Sequence, residues 1–566
     1  GNWLDQVRCG NAPSPDQAAV AEAIGPQDGR AGSRIAEDLA EGLTRLLRPT
    51  MPVPAAPVVT VRAASLGADG VLLDVVGPEG LALRWQDGPR GTQGVPVVDG
   101  RALIPARASL LGGPVAPLRS GTYRLLASVP QGRAVVRMGA DVWAQHGASW
   151  CDSGSRMTLR VLAGDVLDLV VEPPVDRDTE SARVVEQATY ASSRTQPLMN
   201  AVLLSSYQGT AAACSPRAID AALHAVGHDA TRYWLVTDLS VEVPEGGVPV
   251  VRGSKEHYEI AATARWLVDN EAMPHWLRKR TGQTLLQTWH GTPLKALRWD
   301  LDKVSPREPE SMGEADRDAG SWDVVLSPNP HSSEVLRRAF RVQGEVLELG
   351  YPRNDVLADP VLRAAAGLRA RARLGIDPDA PVVLHAPTWR DGAARRASRD
   401  GSWNYGATWQ AQPMLDPIGV HEALGEGGVL LYRGHRFVAG TAPEFHLPGV
   451  VDVTTYPDMG DLLAAADLLV TDYSSSLFDF ALTGRPMVFF AYDLEDYRDR
   501  QRGLYFDMET ELPGPVVRTT DEVSALVAQH HLLPVAGTPT YDAFVARFAP
   551  WDDGRAAERV VQAVFT

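Results

Sequence analysis

The strongest constraint on the fold is a change of hydrophobic period near Asn200. Beyond it, apolar strand-like runs at 201–206, 233–237, 248–251, 285–289, 324–327 and 346–349 alternate with helical stretches such as 215–226. A second set follows at 382–385, 429–432, 468–471 and 487–492. Parallel strands need crossovers, and helical crossovers cover the faces of the sheet, so this alternation predicts α/β layering. Two sets predict two doubly wound, Rossmann-like halves. In open sheets of this kind ligands collect beyond the carboxyl ends of the strands, which puts a site in the cleft between facing halves.

Upstream the texture differs. Short alternating runs at 71–76, 123–127, 157–161 and 166–171, separated by Gly, Pro and Asp, predict an all-β, sandwich-like domain. A helix-like stretch at 35–47 is stopped by Arg48-Pro49, and the polar segment before residue 199 reads as a connector. The expected division is an N-terminal helical segment over 1–50, the β domain over 51–175, a linker over 176–198, a first α/β half over 199–374 and a second over 375–566. A chain of 566 residues needs several cores, which this division supplies.

A formal charge of -16 argues against a nucleic-acid partner, whose footprint is normally a basic face. Anionic ligands are then met locally, chiefly by arginine, whose planar fork suits phosphate. The visible clusters are Arg278-Lys279-Arg280, Arg337-Arg338 with Arg341, and Arg395-Arg396, and a solvated face is the plainer explanation of each. The three cysteines, Cys9, Cys151 and Cys214, are scattered and form no CxxC pair, which fits a reducing compartment. No run of 18 apolar residues and no signal-like opening is present, so a cytoplasmic protein is expected; because the sequence opens on Gly1, an upstream region is allowed for.

Four strand ends carry the chemistry-bearing residues. The run Leu285–Trp289 ends in His290-Gly291-Thr292-Pro293-Leu294-Lys295, which places an imidazole at the mouth of the expected cleft, where it can take a proton from a hydroxyl. A lone histidine there would more often be structural. Asp467–Thr471 leads into Asp472-Tyr473-Ser474-Ser475-Ser476 and then a helix-like run. Capping explains one of those serines; three in a row also suit a diphosphate, which hydroxyls and helix amides can hold. Between these lie His385-Ala386-Pro387-Thr388-Trp389-Arg390-Asp391 and Leu431-Tyr432-Arg433-Gly434-His435-Arg436. Thr388 and Arg390 are candidates for donor phosphates, and His435 for charge stabilisation of a leaving group. Trp389 fits the core as well as a base stack. The acidic-basic stretch 493–499 reads either as a nucleotide contact or as a solvated loop. No Walker loop, GxGxxG, HExxH or metal-like carboxylate pair occurs, so neither a metal nor a dinucleotide cofactor is expected.

Taken together these motifs resemble the CDP-glycerol glycerophosphotransferase family of teichoic acid and capsule primases and polymerases. The resemblance covers about residues 200–566 and rests on Ser215-Pro216-Arg217-Ala218-Ile219, Arg252-Gly253-Ser254-Lys255-Glu256-His257-Tyr258, Gln287 to Lys295, and Leu349-Gly350-Tyr351-Pro352-Arg353-Asn354-Asp355. Ala386 to Asp391, Thr471 to Ser476, Tyr492 to Arg498 and Asp552-Asp553-Gly554-Arg555-Ala556 complete it. It implies a GT-B pair of halves, the first presenting acceptor and the second binding a CDP-polyol donor, with the family's histidines at His290 and His435. Arg436 stands where that family usually has proline, a departure in the local turn. Ser254, Lys295 and Arg353, within the first-half motifs, become acceptor-side candidates. Members work as peripheral proteins at the inner membrane face on lipid-linked acceptors, which makes anionic lipid a candidate partner for the basic clusters.

The expected reaction is attack by a polyol hydroxyl on the β-phosphorus of CDP-glycerol or CDP-ribitol with release of CMP. His290 acts as base; Thr388, Arg390, His435, Ser474, Ser475 and Ser476 hold the diphosphate, and Asp472 positions the serine turn. Two rivals are a nucleotide-sugar-dependent GT-B transferase or epimerase, and a non-catalytic polymer-binding scaffold built around the β domain.

Overall fold

The computed structural model describes residues 56–87, 92–130, 132–175, 182–274, 276–301, 313, 316–388, 415–434 and 448–565. The helix expected at 35–47 lies outside them, as do Trp389, Arg390, Arg395, Arg396, His435 and Arg436.

Residues 58–172 fold into a five-stranded sheet, a seven-stranded sheet and a two-stranded hairpin. Buried and exposed residues alternate along Arg101–Pro105 and Gly121–Val129, as side chains on a pleated strand must when one face is covered. Val59, Val61, Leu73 and Ile104 from the first sheet meet Leu83, Trp85, Leu125 and Leu159 from the second in one core.

The two α/β halves share a plan. The first is a seven-stranded parallel sheet in the order Val248–Val251, Thr231–Val236, Met199–Ser205, Ala264–Asp269, Thr284–Gln287, Val324–Ser327, Glu345–Glu348. The second is a six-stranded parallel sheet in the order Val450–Asp452, Val429–Tyr432, Val382–Ala386, Leu468–Thr471, Met487–Phe490, Val516–Val517. In each the strand order reverses beside the strand that comes first in sequence. The switch points therefore lie between Met199–Ser205 and Ala264–Asp269, and between Val382–Ala386 and Leu468–Thr471.

Three strands escape the sequence reading. Ala264–Asp269 follows helix Lys255–Thr263 without a turn, because the helix's C-cap, Ala264, is already extended and opens the strand. Val450–Asp452 and Val516–Val517, at the sheet's edges, are too short to show a period.

Three segments also sit differently from the expected division, one being helix Pro360–Leu374, expected in the first half, whose Ala366 and Ala370 are buried in the core of the second. Within the stretch read as linker, Ala182–Ser193 is helical; Tyr190 joins the first half's core and its hydroxyl donates to the Arg278 carbonyl at 2.8 Å. The final helix, Ala556–Val564, follows the second half in sequence but packs on the first. Ala557, Val560, Val561 and Phe565 are buried against Val202, Leu204, Trp266 and Val268. Fully burying a Val or Phe side chain contributes ~1.5–3 kcal/mol, enough over Val560, Val561 and Phe565 to draw the chain back across the cleft.

Candidate active site

The two switch points meet in the cleft. Strand Thr284–Gln287 is buried on both faces and hands its chain to Trp289, which takes φ 53°, a left-handed value that a bulky residue adopts only when its surroundings demand it. Its N–H is held by Gln287 Oε1 at 2.8 Å, and its ring packs against Phe340 at 4.7 Å. The turn delivers His290 to the carboxyl end of the neighbouring strand Ala264–Asp269, where Nδ1 lies 2.6 Å from the carbonyl oxygen of Asn270. A carbonyl only accepts, so Nδ1 carries the proton, and in the neutral ring the lone pair is on Nε2.

Asn270 serves both sides of this corner. While its carbonyl fixes His290, its Oδ1 accepts from the N–H of Tyr207 at 2.8 Å, just past the end of Met199–Ser205. Tyr207, Gln208 and Cys214 have φ of 51°, 57° and 61°, so the first half's switch point is strained throughout. Strain of that kind costs ~1–3 kcal/mol per residue and is characteristic of sites whose geometry is held by their surroundings. Tyr207 packs edge-on to His290 with ring centroids 6.4 Å apart.

On the opposite wall, Asp472 follows strand Leu468–Thr471. Its Oδ1 accepts from the N–H of Thr388 at 2.7 Å and of Tyr473 at 2.6 Å, so one carboxylate ties together the loops on both sides of the second switch point. Ser474 Oγ and Ser476 Oγ are 2.9 Å apart, and Ser474 Oγ accepts the Ser476 N–H at 3.3 Å. Ser475, at the N-cap of Ser476–Ala481, makes no side-chain cap bond. Beneath this turn Tyr473 stacks on Tyr497 at 3.9 Å and donates to Asp493 at 2.9 Å. The 493–499 stretch thus contributes support to the serine turn, while Arg498 and Asp499 pair with each other at the surface.

The histidine loop and the serine turn are in contact. A Cβ built on Gly291 would lie 2.3 Å from Ser475 Oγ and 2.7 Å from its Cβ, so only glycine fits between the halves here. Beside them Arg353 of the first half bonds Asp479 of helix Ser476–Ala481 at 2.9 Å, with both side chains largely buried. Burial opposes the Arg353 charge, but Asp479 and the neighbouring Cys214, Tyr207 and Tyr351 outweigh it and the guanidinium stays cationic. Further along, Ala296 N–H donates to the Gly503 carbonyl at 3.1 Å, Tyr505 N–H to that of Leu294 at 2.9 Å, and Lys295 pairs with Leu504.

Thus His290, Thr388, Asp472, Ser474, Ser475, Ser476 and Arg353 are gathered around the cleft, with Lys295 on the strip that joins its walls. Ser254 is committed elsewhere: it caps helix Lys255–Thr263 by accepting the His257 N–H at 3.1 Å. His385 is buried in its strand, and that burial pushes it down to about 4, so it is a neutral core group. In two of the basic clusters most members are paired within the chain. Lys279 pairs with Asp323, Arg280 donates to the carbonyls of Arg194 and Gln196, Arg338 bonds Asp300, and Arg341 bonds Asp316 and covers Trp299. Sequence reasoning passed over Asn270, Tyr207 and Asp479. The strand-end rule would have found Asn270 had Ala264–Asp269 been read as a strand.

A family model described as CDP-Glycerol:Poly(glycerophosphate) glycerophosphotransferase matches residues 188–566. The chain belongs to this family. Among curated relatives, the teichoic acid poly(glycerol phosphate) polymerase of Bacillus subtilis (strain 168) is 36% identical over 374 residues, covering 64% of this chain and 48% of that protein. The teichoic acid glycerol-phosphate transferase of Staphylococcus aureus (strain NCTC 8325 / PS 47) is 36% identical over 304 residues, 53% of this chain and 75% of its own length. The chain thus spans about half the length of the first of these relatives. The solved structure of the wall teichoic acid polymerase TagF matches with TM-score 0.59 and 28% identity over 68% of this chain and 93% of that one. A His→Asn variant of TagF soaked with CDPG matches with TM-score 0.58. The GT-B-like α/β pair of halves is therefore shared with that polymerase, whereas residues before 188 fall outside the family model.

Proposed function

We propose that the protein transfers glycerol phosphate or ribitol phosphate from a CDP-polyol to a hydroxyl of a teichoic-acid-like or capsule polymer, releasing CMP. Family membership and the names of the relatives support the reaction class. The observation that carries the mechanism is the contact of Gly291 with Ser475, which sets the loop bearing His290, an imidazole of fixed tautomer, beside a hydroxyl-lined turn. His290 Nε2 takes the proton of the attacking hydroxyl as its oxygen bonds to the β-phosphorus. The bond from that phosphorus to the oxygen bridging the two phosphates breaks, and the electron pair leaves with CMP.

Such a displacement is governed by positioning and charge stabilisation rather than covalent help. Thr388 and Ser474–Ser476 hold the diphosphate, with Arg390 and His435 joining them and Asp472 fixing the two loops. On the acceptor side the Arg353–Asp479 pair and the Lys295 strip act by shaping the wall, while Ser254 serves as a helix cap. No described helix is long and apolar enough to cross a membrane; we place the protein at the inner membrane face on a lipid-linked acceptor, as its family resemblance implies. The β-rich segment is read as a sandwich-like accessory domain.

The test is a panel of CDP-glycerol, CDP-ribitol and UDP- and CMP-sugars offered with a polyol-phosphate acceptor. CMP release from a CDP-polyol, with extension of the acceptor, is the expected result; sugar transfer without polyol phosphate would overturn the proposal. His290→Ala should lower kcat by ~10²–10⁴-fold, the usual worth of a positioned base, without loss of fold. An unimpaired variant would remove His290 from the mechanism.

A further inference from the structure

The β-rich domain lies before the residues matched by the family model, yet its contacts fall on both α/β halves at once. The contacts centre on the hairpin Arg107–Ser109 and Val115–Pro117. At its tip, the carbonyl of Leu111 accepts from Arg373 Nε at 3.1 Å and that of Leu110 from Arg373 Nη2 at 3.4 Å. Arg373 belongs to Pro360–Leu374, a helix buried in the second half's core through Ala366 and Ala370, and Leu111 packs against the same core. The same guanidinium lies 5.2 Å over the ring of Tyr456 in the second half and reaches Glu242 of the first at 3.4 Å. Just beyond the hairpin, Ser120 N–H donates to Asp238 Oδ2 at 2.8 Å, while Asp238 Oδ1 is held by Ser240.

The positions of these partners matter. Asp238 and Glu242 follow the carboxyl end of Thr231–Val236, and Tyr456 follows that of Val450–Asp452. Both strands are among the first two of their sheets in the orders given above, and Thr231–Val236 stands three places from Thr284–Gln287, the strand that leads to the histidine loop. The hairpin tip is fitted to the helix by close backbone approach. Gly112 has φ 69°, and a Cβ there would fall 1.9 Å from the Arg373 carbonyl oxygen; one on Gly113 would fall 2.1 Å from Arg373 Nη2. A side chain at Gly112 would strike backbone and cannot coexist with the docked hairpin, whereas one at Gly113 would displace the Arg373 guanidinium.

We infer that the β-rich domain is an interlobe brace: its hairpin ties Asp238 and Glu242 of the first half to Arg373 and Tyr456 of the second and so sets the angle at which the cleft stands. A domain that served only the first half would have no use for a tip shaped to a second-half helix. Each tie is weak alone, since the Arg373–Glu242 pair is partly exposed. They act together on a joint that the described chain crosses only around 349–360 and 549–556, so a few weak bonds suffice to bias it.

The test uses the full chain with Gly112→Val, which should push the hairpin off the helix and leave the β core intact. Arg373→Gln, which removes the forked donor while keeping a polar side chain, is the second variant should the first fold poorly. Hydrogen exchange should rise at 205–210 and 290–297, where the halves meet, while strands within 58–172 stay protected, and the scattering radius should grow. The kinetic readout rests on the transferase proposal: donor KM should rise ~5-fold or more with kcat within ~2-fold, because bound substrate restores closure that the brace no longer supplies. Exchange confined to 106–118, with scattering and interlobe protection unchanged, would overturn the brace whatever the enzyme's activity. Exchange and scattering changes without any CDP-polyol turnover would uphold the brace and count against the transferase reading alone.

Discussion

The proton that His290 shares with Asn270 fixes more than the angle of a ring. It assigns the lone pair to Nε2, and because the Asn270 side chain also holds Tyr207, one buried residue sets the geometry of a whole corner of the cleft. Gly291 is the second residue on which the site turns. Gly291→Ala would drive a methyl into Ser475, so the halves must part or the serine turn must shift. A displacement of ~1 Å at a reacting centre can cost ~10²-fold in rate, and that is the loss expected in kcat/KM. Ser475→Gly, which removes the obstructing atoms, should recover part of that loss in the double variant, measured as a coupling energy in a double-mutant cycle. Additive losses would mean that the contact has no bearing on catalysis.

Among elements, two sequence motifs separated by some two hundred residues prove to be each other's partners. Asp552 Oδ1 accepts from the Tyr351 N–H at 2.9 Å, and the two oxygens of Asp355 accept from the N–H groups of Ala556 and Ala557, both at 2.8 Å. Burial pushes the Asp552 carboxyl up to about 7 and Asp355 up to about 6, against the hydrogen bonds that favour their charge. The folded chain therefore keeps protons that the unfolded chain releases near pH 3.8. By linkage, stability from this pair is fully present below that value and falls as pH rises to about 7, by about 1.4 kcal/mol per group for each pH unit between its unfolded and folded pKa. Asp552→Asn keeps an acceptor for Tyr351 and removes the titration, so its Tm should vary less between about pH 4 and pH 7 than that of the unaltered protein. Parallel Tm curves would refute the assignment. Strand ends carrying His290, Thr388 and Asp472 were legible in the sequence because apolar runs and their terminal polar residues are local signals. The pairing of Asp355 with Ala556 and of Arg353 with Asp479 was not, since nothing local records which distant segment a carboxylate will face. Nor was the reach of the hairpin at 107–117, which carries no local mark of the distant helix it meets.

For the molecule as a whole, the first half is finished by the last helix. Trp266 Nε1 donates to the Val564 carbonyl at 3.2 Å, His228 Nε2 lies 3.1 Å from that of Phe565, and the Phe565 ring packs against Trp266. Phe565→Ala should cost ~3–5 kcal/mol, the usual range for a buried aromatic, with amide exchange rising first in strands Met199–Ser205 and Ala264–Asp269 and not in the second half. A uniform rise across both halves would show that they unfold as a single unit. The return of that helix also has a consequence for biogenesis. As the ribosome releases the chain, the earlier α/β sheet emerges with the patch around Trp266 still bare, and the whole of the later one must be translated before its cover arrives. The part made sooner is thus completed later, and the nascent protein carries a sticky, unfinished surface until helix Ala556–Val564 is made.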